Sequence, residues 1–459
     1  MSATPTITTI ETPELGNRSY VVDDGSYAVV IDPQRDIDRL RQVAPVAERQ
    51  VSLVLETHVH NDYLTGGLEL ARSVGADYGV NADDPVRFDR LGLRPGEEIE
   101  VGSLTVQVLA TPGHTDTHLA YLVRSGEDAP ALFTGGSLLY GSVGRTDLLG
   151  EERALELARA QFRSTRSLAG LPDDTRVFPT HGFGSFCSAV PSSGESTLQT
   201  LGDLRRSNPA LLADDEDVFA KALVAGYGAY PSYYAHMAER NLDGPHGIDP
   251  HPIRALDDDQ LIDLLRAGQL IDLRTGEEFA STHLRGSLSI PAGAQFATYA
   301  GWLLPWGRPL GLIGVDDVTL EDARVQLARI GIEAVAGRSD AVATLAPAEP
   351  RGSIDRVTFD AVAAGRAAGD RLLDVRRRDE FETDRVPGAL NIPVHELESR
   401  LGEIPAGRVW TYCAGGFRAG TAASILARAG RDVVHIDDPF THAVELGLTE
   451  RDRQQEEQL

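Results

Sequence analysis

The chain has 459 residues and a net charge of −26. That length allows roughly two to four domains with cores of their own, and the acidic balance excludes nucleic acid or an anionic membrane as the main partner. Lys221 is the only lysine, two cysteines exclude a disulfide framework, and no apolar run is long enough to span a membrane; a cytoplasmic, soluble chain with reduced thiols is expected.

Residues 28–33, 51–57, 104–111 and 131–136 are short apolar runs bounded by turn residues, which predicts buried strands. Residues 151–162 place apolar side chains at helical spacing behind an acidic first turn, which predicts a helix. Strands and helices mix, so 1–245 is read as an α/β or α+β domain. Histidines stand where its strands end: His58 and His60 in THVHND, His114 in TPGHT, and His181 in VFPTHG. Three strand-to-loop segments that each end in histidine predict a metal site. Two imidazoles two residues apart converge from one turn, and Pro112-Gly113 fixes the aim of His114. Asp62 is placed as a ligand or as a group orienting one. Asp116 and His118, close behind His114, are weighed as further donors.

Gly- and Pro-rich stretches at 241–252 and 337–353 read as domain boundaries. Beyond the first, the chain repeats itself: 270–291 aligns without a gap on 372–393, at an offset of 102 residues. Asp272 then matches Asp374, Arg274 matches Arg376, and Pro291 matches Pro393. Two small α/β domains follow, 252–340 and 354–450. The second copy continues into VWTYCAGGFRAG (409–420), a strand, a Gly-rich loop and the start of a helix. Cys413 sits in that loop with Gly415 and Gly416, where backbone N–H groups and the helix dipole stabilise a thiolate or a bound persulfide. Arg418 adds a cation. At the same offset the position of Cys413 falls on Gly311, so the first copy lacks a nucleophile. Cys187 is read as a buried spectator, the alternative being a thiol that meets substrate near the metal.

The Asp374-Val375-Arg376 strand, the VPGALNIP stretch and the Cys413–Arg418 loop resemble the rhodanese family over about 354–450. The resemblance implies a Cys413 persulfide that passes sulfane sulfur from an anionic donor to a thiol or cyanide-like acceptor. Residues 253–336 resemble the same scaffold without its thiol. THVHND, TPGHT, FTGG and PTHG, over roughly 10–190, resemble the metallo-β-lactamase superfold, an αββα sandwich. With Gly144-Arg145-Thr146-Asp147, the branch most similar is the persulfide dioxygenases, and the domain order resembles the multidomain persulfide dioxygenase–sulfurtransferases. This likeness implies one Fe(II) per chain, with zinc as the alternative. It implies a small-molecule thiol persulfide, thiosulfate or sulfite as partners, Arg145, Gly415 and Gly416 as substrate-binding residues, and a homo-oligomer.

Two positions depart from the family pattern. Tyr63 stands where a second-metal histidine is usual, and Gly136 stands where a carboxylate is usual. His58, His60 and His114 remain, with Asp62 and His181 set apart from them. A second metal would have too few ligands, so one metal on three neutral imidazoles is expected. That site carries one negative charge fewer than a two-histidine-one-carboxylate triad. Tyr63 is read either as a hydrogen-bonding support or as filler. Two other readings stay open: a sulfurtransferase with an impaired metal domain, and a zinc thioester hydrolase of the glyoxalase II type.

Overall fold

Alternation along the strands shapes the first unit. In the computed structural model, which describes residues 5–43, 48–182, 184–189, 198–339 and 351–451, Val29 and Ile31 join one apolar cluster while Ala28 and Val30 join another. A strand apolar on both faces belongs to a sheet covered on both sides. Residues 1–250, with 325–331, form this unit.

Its first sheet runs in the order β1 (Thr6–Thr12), β2 (Asn17–Asp23), β3 (Tyr27–Ile31), β4 (Gln50–Leu55), β5 (Asp77–Asn81) and β6 (Leu91–Leu93). The second runs β7 (Glu98–Val101), β8 (Leu104–Ala110), β9 (Leu119–Arg124), β10 (Ala131–Gly135), β11 (Arg176–Pro179) and β12 (Gln199–Thr200). Val29, Ile31, Leu53 and Leu55 of the first meet Val106, Val108, Tyr121 and Phe133 of the second in one core. Leu40, Leu68 and Leu70, from helices Ile37–Arg41 and Gly67–Val74, cover the outer face of the first sheet at Val30, Val54 and Val80. Leu168, Leu201 and Leu204, from helices Ala154–Leu168 and Leu201–Ser207, cover the second at Leu122, Leu132 and Val177. The four layers are the predicted αββα sandwich, and each fully buried aliphatic side chain contributes about 1.5–3 kcal/mol to it. The four predicted strands form, each ending slightly before its predicted limit. The predicted helix opens as a 3-10 turn, Glu151–Arg153, and runs on to Leu168.

The second unit holds residues 251–324 and 332–459, so the aligned stretches 270–291 and 372–393 lie in one unit. In the first copy Leu288–Ser289, Leu270–Asp272, Leu310–Ile313 and Val335–Ser339 lie side by side in parallel. Leu390–Asn391, Arg371–Asp374, Val409–Tyr412 and Val433–Ile436 repeat that order, with Asp355–Val357 at the edge. Arg274 pairs with Asp272 and donates to the Thr282 carbonyl; Arg376 does the same with Asp374 and Asp384. The gapless offset fails before the third strand. Ile313 lies opposite Asp272 and Tyr412 opposite Asp374, so the counterpart of Cys413 is Gly314 and not Gly311. Of the second predicted boundary, 340–350 lies outside the described residues. Among the described residues no helix is long and apolar enough to cross a membrane.

Candidate functional site

β4, β8, β10 and β11 end on one edge of the sandwich, and the loops after them carry the histidines. His58, His60, His114 and His181 are all buried. Each ring is held by one nitrogen. His58 Nδ1 lies 2.8 Å from Thr57 Oγ1, whose hydroxyl donates to Asp32 Oδ2 at 2.8 Å. His114 Nδ1 donates to the Arg145 carbonyl at 2.7 Å. His181 Nδ1 lies 2.9 Å from Asn17 Oδ1 and 3.3 Å from Asp62 Oδ2. These contacts leave Nε2 of each ring with its lone pair facing the centre.

His60 is turned the other way. Its Nε2 lies 3.1 Å from Glu56 Oε2, 3.3 Å from Asp32 Oδ1 and 2.9 Å from the Tyr63 hydroxyl. Burial opposes charge on His60, but Asp32 and Glu56 outweigh it and push the imidazole up to about 10. Two carboxylates at one nitrogen call for positive charge on the other, which a proton or a metal supplies. Tyr63 is therefore a support of His60: its ring stacks on the imidazole at 4.3 Å, and its hydroxyl also donates to the Asp32 carbonyl at 3.3 Å.

These donors fit a metal. His60 Nδ1, His114 Nε2 and Asp62 Oδ1 are buried with no hydrogen-bond partner among the described residues. His58 Nε2 and His181 Nε2 face each other at 3.3 Å, an arrangement two lone pairs tolerate only with a cation or proton at hand. Donor atoms of His58, His60 and His181 lie within 4.8 Å of one another. Burial, and then the neighbouring histidines, hold His58 well below its usual value; burial and then His181 bring His114 to about 3. Neutral imidazoles are the form that ligates. Burial resists ionisation of Asp62, but His181 prevails and brings it to about 2.

Several expectations are corrected here. His181 and Asp62 are not set apart: His181 sits among the imidazoles and Asp62 beside it. His118 is no donor to a metal, because its Nε2 accepts from the Gly136 N–H at 3.0 Å while its Nδ1 lies 2.8 Å from Thr111 Oγ1. Asp116 is half-exposed and paired with Arg153. The Arg145 side chain, expected to bind substrate, is engaged by the fold itself. It is buried, bidentate to Asp147 at 2.6 Å, donates to the Phe186 and Gly228 carbonyls, and lies against Tyr227 and Tyr230. Cys187 is buried, as expected, and its Sγ lies within 4.8 Å of ring nitrogens of both His114 and His181.

Sequence reasoning missed Asp32 and Glu56. Each is a carboxylate where a buried strand ends, and that placement was the available signal. Asp32 adopts a left-handed φ of 50°, a strained conformation of the kind found at sites its surroundings over-determine.

In the second unit Cys413 is buried at the end of Val409–Tyr412, and its Sγ accepts from the Gly416 N–H at 3.1 Å. Gly416, at φ +91°, turns the chain into helix Phe417–Arg428; a Cβ there would strike Asp437. His435 Nε2 lies 3.0 Å from the Gly416 carbonyl, and Arg418 is bidentate to Glu380 at 2.6 and 2.9 Å. Gly415 is exposed at the loop tip.

Residues 12–181 match the Metallo-beta-lactamase superfamily model, and residues 358–441 match the Rhodanese-like domain model. A hydroxyacylglutathione hydrolase of Acidiphilium cryptum (strain JF-5) is 34% identical over 234 residues, covering 46% of this chain and 91% of that protein. Among solved structures, a metallo-beta-lactamase from Staphylococcus aureus subsp. aureus COL superposes with a TM-score of 0.65 at 27% identity, covering 73% of this chain and 98% of its own. ETHE1 from Myxococcus xanthus gives 0.45 at 28% identity, covering 52% and 100%. The chain belongs to the metallo-beta-lactamase superfamily and joins that fold to a rhodanese-like domain.

Proposed function

We propose that the chain oxidises a low-molecular-weight thiol persulfide at the histidine centre and carries sulfane sulfur on Cys413. One observation carries the reading: a buried imidazole set with unpartnered ring nitrogens shares a chain with a thiol loop whose sulfur accepts a backbone N–H. An Fe(II) ion on His58 Nε2, His60 Nδ1 and His114 Nε2 would supply the redox chemistry, whereas Zn²⁺ would supply only a Lewis acid. The anionic persulfide sulfur brings the charge that Gly136 does not. Asp32 and Glu56 orient His60, the Arg145 carbonyl orients His114, and burial keeps bulk water out. With the persulfide anion, one O₂ and one water enter; the thiol, sulfite and one proton leave. At the second site the Cys413 thiolate attacks the outer sulfur of thiosulfate. The S–S bond breaks, sulfite departs with the electron pair, and the Gly416 N–H holds the Cys413 sulfur while Arg418 stays paired with Glu380 at the loop end. Residues 253–336 we read as a rhodanese-like scaffold that has lost its thiol.

The likeness to a hydroxyacylglutathione hydrolase favours a second reading, zinc-assisted cleavage of a glutathione thioester. Product analysis separates the two. Chain loaded with Fe(II) without air, then given O₂ and glutathione persulfide, is expected to form sulfite. Thioester cleavage with no persulfide-dependent sulfite would replace the first reading with the second.

A further inference from the structure

We infer that Cys187 is a ligand of the metal centre, supplying as a thiolate the negative charge that Gly136 lacks. The inference rests on the centre binding a divalent metal. Cys187 is fully buried, and its Sγ shares a sphere of 4.8 Å with ring nitrogens of His114 and His181. The space is otherwise incomplete: His114 Nε2 and Asp62 Oδ1, both buried, have no hydrogen-bond partner among the described residues. The thiol lies 3.8 Å from the Tyr234 hydroxyl and beside the Asp62 carboxylate.

The loop is built to hold the sulfur there. The Arg145 N–H donates to the Cys187 carbonyl at 2.9 Å, while the Arg145 carbonyl accepts from His114 Nδ1. One residue's amide thus fixes the cysteine and its carbonyl fixes the histidine. The Ala189 N–H donates to the Val143 carbonyl, and Gly144 pairs with Ser188 in an antiparallel bridge. The Arg145 guanidinium adds a bond to the Phe186 carbonyl. The Gly144-Arg145-Thr146-Asp147 stretch is therefore the clamp that sets His114 and Cys187 side by side.

The chemistry suits the placement. His114, shared with the imidazole set, forms with His181 and a Cys187 thiolate a donor set that takes Zn²⁺, Co²⁺ or Fe²⁺. On binding, the S–H bond breaks, its electron pair becomes the metal–sulfur bond, and the proton leaves for solvent. The charge missing from β10 is then returned by the loop after β11.

The chain has two cysteines, so full-length Cys413→Ser retains one thiol, Cys187. This variant is titrated with Co²⁺ without air. Visible d–d bands report bound cobalt, and a near-ultraviolet thiolate-to-cobalt charge-transfer band reports sulfur ligation. The expected result is a charge-transfer band that grows in step with the d–d bands. It should be absent when Cys187→Ser is added, with cobalt affinity lowered by at least ~10-fold. Full d–d bands with no charge-transfer band in Cys413→Ser would place cobalt on the imidazoles alone and overturn the inference while sparing the metal centre. No cobalt bands at all would overturn both.

Discussion

Gly136 and His114 occupy one space: a Cβ built on the glycine would fall 2.6 Å from His114 Nε2. A second glycine closes the other side, since a Cβ on Gly144 would lie 2.6 Å from His114 Nδ1. The missing side chain at 136 is thus what admits the imidazole in its present pose, and a carboxylate placed there does not simply supply a ligand. Gly136→Asp is expected to displace His114, lowering both stability, by about 1–3 kcal/mol, and metal affinity. Gly136→Ala should act in the same direction. Thermal unfolding and chelator competition check this. An aspartate variant that binds metal more tightly at unchanged Tm would show that the ring does not need that space.

Glu56 and Asp32 both hold His60 by its Nε2. Glu56→Gln removes a negative charge beside Nε2 and keeps the shape, so His60 becomes a poorer and less fixed ligand. Metal affinity should fall by roughly 10–100-fold, measured by competition with a chromophoric chelator, while thiosulfate sulfurtransfer at Cys413 continues at the parent rate. Unchanged affinity would reduce the two carboxylates to packing.

Cys413→Ser should remove sulfurtransfer from thiosulfate to cyanide entirely, because an oxygen at that position forms no persulfide. Mass spectrometry of the parent chain after thiosulfate should show one added sulfur on the peptide holding Cys413. Sulfur found on Cys187 instead would move the carrier role to the other site.

Arg418 and Glu380 set a pH dependence. Burial raises the Glu380 carboxyl, but the Arg418 guanidinium outweighs it, and the group titrates below its ordinary 4.5. A carboxylate lowered on folding stabilises the fold above its unfolded value, and the effect fades as pH falls through the folded value. Glu380→Gln should therefore cost about 2 kcal/mol at pH 7, with the gap between variant and parent closing in acid. Urea unfolding at neutral and acidic pH measures it, and a gap that widens in acid would contradict the assignment.

What could be read in the sequence was local. The strands followed from apolar runs such as 51–57, the sandwich from the family resemblance carried by THVHND, TPGHT, FTGG and PTHG, and His58, His60, His114 and His181 from histidines at strand ends. What escaped depends on distant partners or on burial. Asn17 meets His181 across 164 residues, and Thr180 meets Asp32 across 148. Arg145 reads as a free cation until the fold pairs it with Asp147 two residues on and buries both. Cys187 reads as an isolated thiol until β11 brings its loop to the histidines. The Gly311 assignment failed because the first copy has three residues more than the second between paired strands, a difference strand register exposes and a local match does not.

The central claim is that His58, His60 and His114 converge on a single metal. Its most direct test is the metal content of the full chain loaded with Fe(II) without air and freed of excess by gel filtration. One iron per chain, falling sharply in His114→Ala with the fold intact by circular dichroism, is the result predicted. No retained iron, or an unchanged content in His114→Ala, would contradict it.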